Sequence, residues 1–252
     1  MKNLFKKLFV GFTVLSLTAC GSTTMQDNTF AAKENKDFTK YTNQLVVEYA
    51  ENDYTTMHQF FEHPEDYGID INNVDVSLGE FYTDNTEEIK EDQKELNKFN
   101  RNTLDKTQQT IYDELKYENE LSLKAENKKF QYLNNCWSTM SGLHQSLISV
   151  FSEYILRSEK DIQDLITLIN DVPRYTNDVL EYTKKQADKN TLQFDYDSVI
   201  QDIQDVINNK ENSSITSALY NAIDALNLDE EKTTSYKAQV KDAMDTSFLP
   251  FL

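Results

Sequence analysis

Glycine and proline are scarce, with five and three in 252 residues. All-β folds consume turn-forming residues every 8 to 12 positions, so this shortage argues against a sandwich or a barrel. Cysteine is limited to Cys20 and Cys136, and histidine to His58, His63 and His144. Three histidines allow a complete audit of metal-binding spacings. The G-x-S-x-G elbow, the P-loop and the dinucleotide-binding glycine pattern are all missing. Basic charge is short as well: 25 Lys and Arg stand against 43 Asp and Glu. Nucleic-acid binding by phosphate neutralisation requires the opposite balance, so no nucleic-acid partner is expected.

What is present begins at the N-terminus. Lys2, Lys6 and Lys7 precede a short apolar run, Leu8 to Leu17, and "LTAC" closes it at Cys20. The run is too short for a permanent membrane span and fits a secretory signal. A small residue before Cys20 resembles the bacterial lipobox, whose cysteine becomes the acylated first residue. The competing reading is an ordinary signal peptide, or an uncleaved anchor, with an incidental cysteine. Cleavage before Cys20 would remove three lysines and no acids, leaving 22 basic against 43 acidic residues, a net charge of −21. A domain that acidic is repelled by anionic head groups, so its expected membrane contact is the lipid. The chain then faces outward from the bacterial cell membrane. Cys136 would remain without a disulfide partner and reads as a buried, inert thiol.

The expected organisation is a signal peptide over 1–19, a polar tether over 20–37 and a helical domain over 38–252. Phe38, Tyr41, Leu45 and Tyr49 open the domain at helical spacing, and Met57, Phe60 and Phe61 extend the pattern towards Pro64. A charged helix is expected within 80–99, and another from Leu104 to about Lys124. "KKFQYLNNCW" has no helical stripe and is read as a short extended segment near 128–137. Helical spacing resumes at Leu143. Ser158 and Asp161 form a capping-box variant ahead of the stripe Ile162, Leu165, Ile166 and Ile169. Pro173 then suits the first turn of a following helix. Three further stripes start near Val199, Ile215 and Tyr236. The expected fold is all-α, an irregular bundle of about eight amphipathic helices.

Candidate chemistry is sparse. His58 and His63 are five residues apart, about 140° around a helix, which misses the one-turn spacing of H-E-x-x-H zinc sites. A surface or capping role is expected for them, and local hydrogen bonding for His144. No catalytic residue, metal ligand or cofactor is assigned. Arg157 and Arg174, two of three arginines, are candidates for structural ion pairs or for a clamp on a ligand carboxylate. Phe248, Leu249, Phe251 and Leu252 give an acidic chain an apolar end, a candidate protein-docking surface.

Three stretches carry a resemblance: "HPEDYGI" (His63 to Ile69), "SGLHQSLISVFSEYILRSEKDIQDLITLINDVPRY" (Ser141 to Tyr175) and "LDEEKTTSYKAQVKDAMDTSFLP" (Leu228 to Pro250). In order and spacing the chain resembles the bacterial domain-of-unknown-function 885 family. The resemblance implies a longer, often secreted or lipid-anchored protein, whose C-terminal half bears an H-E-G-x-P-G-H motif similar to zinc metallopeptidases. This chain corresponds to the helical N-terminal half, and no residue in it matches that motif. Two functions follow as expectations. One is a non-catalytic lipoprotein that binds or supports a partner. The other is half of a zinc peptidase completed by a separate polypeptide.

Overall fold

The computed structural model describes residues 33–82, 84–209 and 214–252. Cys20, the signal segment and most of the tether lie outside the described residues. Nine α-helices occur among the described residues, with no strand, and the fold is all-α. None of these helices is long and apolar enough to cross a membrane. The chain divides into two compact units.

The first unit comprises residues up to Asn52, then His63–Asn73 and Tyr82–Gln131. Its helices are α1 (Lys36–Glu51), α3 (Thr86–Leu96) and α4 (Lys106–Ala125). α1 begins two residues inside the expected tether, because the Asn35 side chain accepts the N–H groups of Asp37 and Phe38. Phe38 sits in a core with Leu96, Leu104, Ile111, Tyr112 and Leu115. Its ring meets Phe99 edge-on at 5.1 Å. Buried Gln108 joins two helix starts: it forms the capping box of α4 with Asp105 and donates to the Asn35 carbonyl and the Thr39 hydroxyl. In the "HPEDYGI" stretch, a 3₁₀ turn over Pro64–Tyr67 ends at Gly68, whose φ of 80° favours glycine.

The second unit comprises Asp53–Glu62, Val74–Phe81 and Tyr132–Leu252. It holds α2 (Tyr54–Phe60), α5 (Leu143–Ser152), α6 (Glu159–Asp188), α7 (Tyr196–Asn208), α8 (Ser214–Ala225) and α9 (Glu230–Ala243). α6 is its axis. The expected stripe is fully buried at Ile162, Leu165 and Ile169, and it continues through Val172, Tyr175, Val179 and Tyr182. Pro173 therefore does not begin a second helix; it lies inside a single helix of 30 residues. An interior proline costs about 3 kcal/mol through its missing N–H and its clash with the preceding turn. Each large side chain buried along the stripe returns about 1.5–3 kcal/mol, so packing outweighs the local break.

Residues 128–137 make no strand. Turns run through Tyr132, and the backbone beyond is held by side chains of α6 in place of a ladder. Gln186 donates to the carbonyls of Tyr132 and Asn134, and the Tyr182 hydroxyl accepts the Asn134 N–H. Trp137 donates its indole N–H to the Thr183 hydroxyl at 2.8 Å. The apolar end of the chain folds back: Phe248 is fully buried and meets Phe151 edge-on at 5.6 Å. Leu249, Phe251 and Leu252 are half-buried.

Candidate functional site

The second unit gathers a group of aromatic and ionisable side chains around α2 and the start of α6. Asp53 caps α2 by accepting the Thr56 N–H, and the helix then places Tyr54 and His58 one turn apart. The imidazole stacks nearly parallel on both Tyr54 (5.6 Å, 11°) and Tyr154 (4.4 Å, 10°). His58 Nε2 lies 2.7 Å from the Ile155 carbonyl. A carbonyl only accepts, so Nε2 carries the proton and Nδ1 keeps its lone pair. That lone pair faces Asp161 Oδ1 at 3.8 Å. Tyr54 donates to Asp164 Oδ2 at 2.7 Å, which makes Tyr154 the donor across the 3.0 Å contact between the two phenols. Lys160 pairs with the same Asp164 oxygen.

Burial is the main influence on every titratable group of this cluster whose proton affinity departs from the ordinary. It lowers the pKa of His58, opposed by the Ile155 carbonyl and Asp161. It also raises the Tyr54 phenol above its usual range, helped by Tyr154 and Asp164, and raises Tyr154 likewise. The resting state is a neutral imidazole beside two neutral phenols. Such a network orders the chain segments it joins. His58 is buried, not at the surface as its sequence context suggests.

The two arginines have separate tasks. Arg157 donates through Nη1 to the His58 carbonyl at 3.0 Å, so its guanidinium bonds to the main chain where a carboxylate was expected. Its backbone N–H goes to Asp161. Arg174 grips Asp171 through Nε and Nη2, both at 2.6 Å, reaches Asp178 at 3.2 Å and donates to the Gly79 carbonyl at 2.8 Å. Asp171 also accepts the Leu78 N–H, so the pair pins the 77–81 loop to α6. The sequence gives no sign that Arg157 and His58, 99 positions apart, touch.

His144 differs from the local hydrogen bonding expected of it. It is 0 % exposed, and neither ring nitrogen has a hydrogen-bond partner among the described residues. Asp202 of α7 stands 4.0 Å from Nε2. Burial lowers the pKa of this ring, and Asp202 opposes the shift. Gly142 caps the same helix because a Cβ there would sit 2.5 Å from the Ser138 carbonyl oxygen. Cys136 is 1 % exposed, and burial pushes its thiol up to about 11. His63 is exposed and lies 3.6 Å from Glu65. Among the described residues, no group of three or more His, Cys, Asp and Glu is placed to hold a metal ion.

The tyrosine–histidine stack left one trace in the sequence, the i, i+4 spacing of Tyr54 and His58. Its other members come from more than 90 positions away, beyond the reach of periodicity. No curated protein and no solved structure matches the chain. A family model described as a bacterial protein of unknown function (DUF885) matches residues 72–252. That match spans Arg157, the whole Arg174 site, the His144 helix and all of α3 to α9, while Tyr54 and His58 lie before it, and on it the chain belongs to the DUF885 family.

Proposed function

We propose that this chain is a lipid-anchored, non-catalytic module of the bacterial cell surface, held by an acylated Cys20 and presenting its acidic helical units outward. The observation that carries the non-catalytic part is the tyrosine–histidine cluster. Its imidazole and phenols bond to one another, to Asp164 and to the main chain, and burial favours their neutral forms. A general base must come within reach of a substrate proton, and an imidazole packed against two phenols, with its Nε2–H held by the Ile155 carbonyl, is closed to one. The anchoring part is supported by the basic start, short apolar run and small-residue–cysteine junction of residues 1–20. Two acyl signals hold a protein at a membrane where one is marginal.

Metabolic labelling with a fatty-acid analogue tests the anchor in cells expressing the full chain. The wild-type protein is expected to carry the label and to sediment with membranes, and Cys20→Ser is expected to lose both. An unlabelled wild-type protein would overturn the anchor. The second reading, part of a zinc peptidase completed by a separate polypeptide, draws on half-buried Leu249, Phe251 and Leu252 as a docking edge. It requires a neighbouring reading frame that encodes the missing H-E-G-x-P-G-H motif.

A further inference from the structure

Helix α7 buries its apolar stripe along one edge only. Val199 is buried and Val206 half-buried, and Asp202 between them faces His144 at 4.0 Å. A second set of apolar residues, Tyr196, Ile200, Ile203 and Ile207, stands about a quarter-turn away. Their spacing, i, i+4, i+7 and i+11, makes one ridge along the helix, the seam by which two helices pair. That ridge is open: Tyr196 is 62 % and Ile207 39 % exposed, while Ile200 and Ile203 are half-buried. A helix packed only within its own unit turns polar side chains to solvent at such positions. The Tyr196 ring lies 5.9 Å from that of Phe194, and Phe194 lies 6.5 Å from buried Trp137. The exposed end of the ridge is therefore built on packed aromatic side chains.

The charge beside the ridge selects what can cover it. α7 carries Asp197, Asp202 and Asp205 with no lysine or arginine, and Asp195 caps it. Asp195 accepts from Ser198, Asp205 accepts from Gln201, and Asp202 faces His144. Among the described residues, no lysine or arginine pairs with any of these four carboxylates. Asp197 borders the ridge directly, at the position from which charged residues of paired helices choose their partner. A membrane surface does not fit, because helices lying in a bilayer interface carry Lys and Arg on the polar face and anionic head groups repel aspartate. A second copy of this chain fits no better, since it would set one acidic helix without bases against another.

We propose that α7 docks a basic amphipathic helix of another protein. The aliphatic stripe of that helix packs along Tyr196, Ile200, Ile203 and Ile207, with its lysine or arginine residues beside Asp197 in the field of the other aspartates. The ridge carries this inference independently of the anchor and of the non-catalytic reading. Peptide binding, acyl labelling and proteolysis are measured separately, and each can fail alone.

The test is surface plasmon resonance on the immobilised full chain in a non-ionic detergent. The probe is a synthetic helical peptide with leucine at i, i+3, i+4 and i+7 and lysine elsewhere. Saturable binding is expected, weakening as salt is raised. The same stripe with glutamate in place of lysine is expected not to bind, and a shuffled leucine–lysine peptide to bind more weakly. Tyr196→Ser combined with Ile207→Ser removes the two most exposed members of the ridge and is expected to weaken binding about tenfold. Asp197→Asn is expected to weaken it about threefold, the loss of one exposed ion pair. Leu121→Ser, at a comparably exposed apolar residue of α4, is expected to leave it unchanged. Circular dichroism melts of each variant establish that the helices persist. Equal binding of the probe and either control peptide, or of the probe to wild type and double variant, would overturn the site. Dimerisation of the full chain that the double variant abolishes in sedimentation would overturn it too, by assigning the ridge to a second copy.

Discussion

Two histidines in the second unit share one property, an imidazole kept neutral by its surroundings. His58 is lowered by burial despite Asp161 and Asp164, and Arg157 nearby lowers it further. His144 is lowered by burial against the pull of Asp202. The unfolded chain protonates both near pH 6.5, while the folded chain resists. Stability from these groups is therefore full above about pH 6.5 and falls as the pH drops through that value, by at most about 1.4 kcal/mol per pH unit for each ring. Urea melts of the full chain at pH 7.5 and 5.5 check this. The wild type is expected to lose stability at the lower pH, and His144→Gln to lose less. Equal losses would remove His144 from the account. The sequence could count these histidines and reject a zinc spacing. It could not show that His144 would be sealed with neither nitrogen bonded among the described residues, because the approach of Asp202 from α7 is not a local feature.

At the scale of elements, α6 shows what was readable and what was not. Its cap and stripe follow from local rules and form as expected: Asp161 accepts the N–H groups of Arg157 and Ser158 together with the Ser158 hydroxyl. Asp161→Ala is expected to cost about 1–2 kcal/mol in urea denaturation, the upper range for a helix cap. A cost near zero would mean that packing alone fixes the helix start. Pro173 misled the local reading because a proline signals a helix start only when the turn before it is free to unwind. Here Ile169 and Val172 are fully buried immediately ahead of it. Asn52 and Asp53 show the reverse. Periodicity ran on from Tyr49 to Phe61, yet α1 stops at Glu51 and Asp53 caps a new helix. Asp53 followed by Thr56 is a readable cap signal, overridden in the sequence by the continuity of the apolar pattern. Residues 128–137 lack any stripe, and that much was legible. That side chains of α6 would take the place of a strand partner depends on residues about 50 positions away.

For the whole molecule, the distribution of function is the issue. The family match covers residues 72–252, and within it Arg174 and Asp171 hold the 77–81 loop to α6. The acidic net charge, −18 before any processing, suits a protein that attracts cations. The central proposal is that this chain does not hydrolyse peptides by itself. It is tested most directly by incubating the purified full chain with a mixed peptide substrate and added zinc, with and without a chelator. No chelator-sensitive cleavage above that of a heat-unfolded control is expected. Reproducible cleavage that zinc restores after chelation would contradict it.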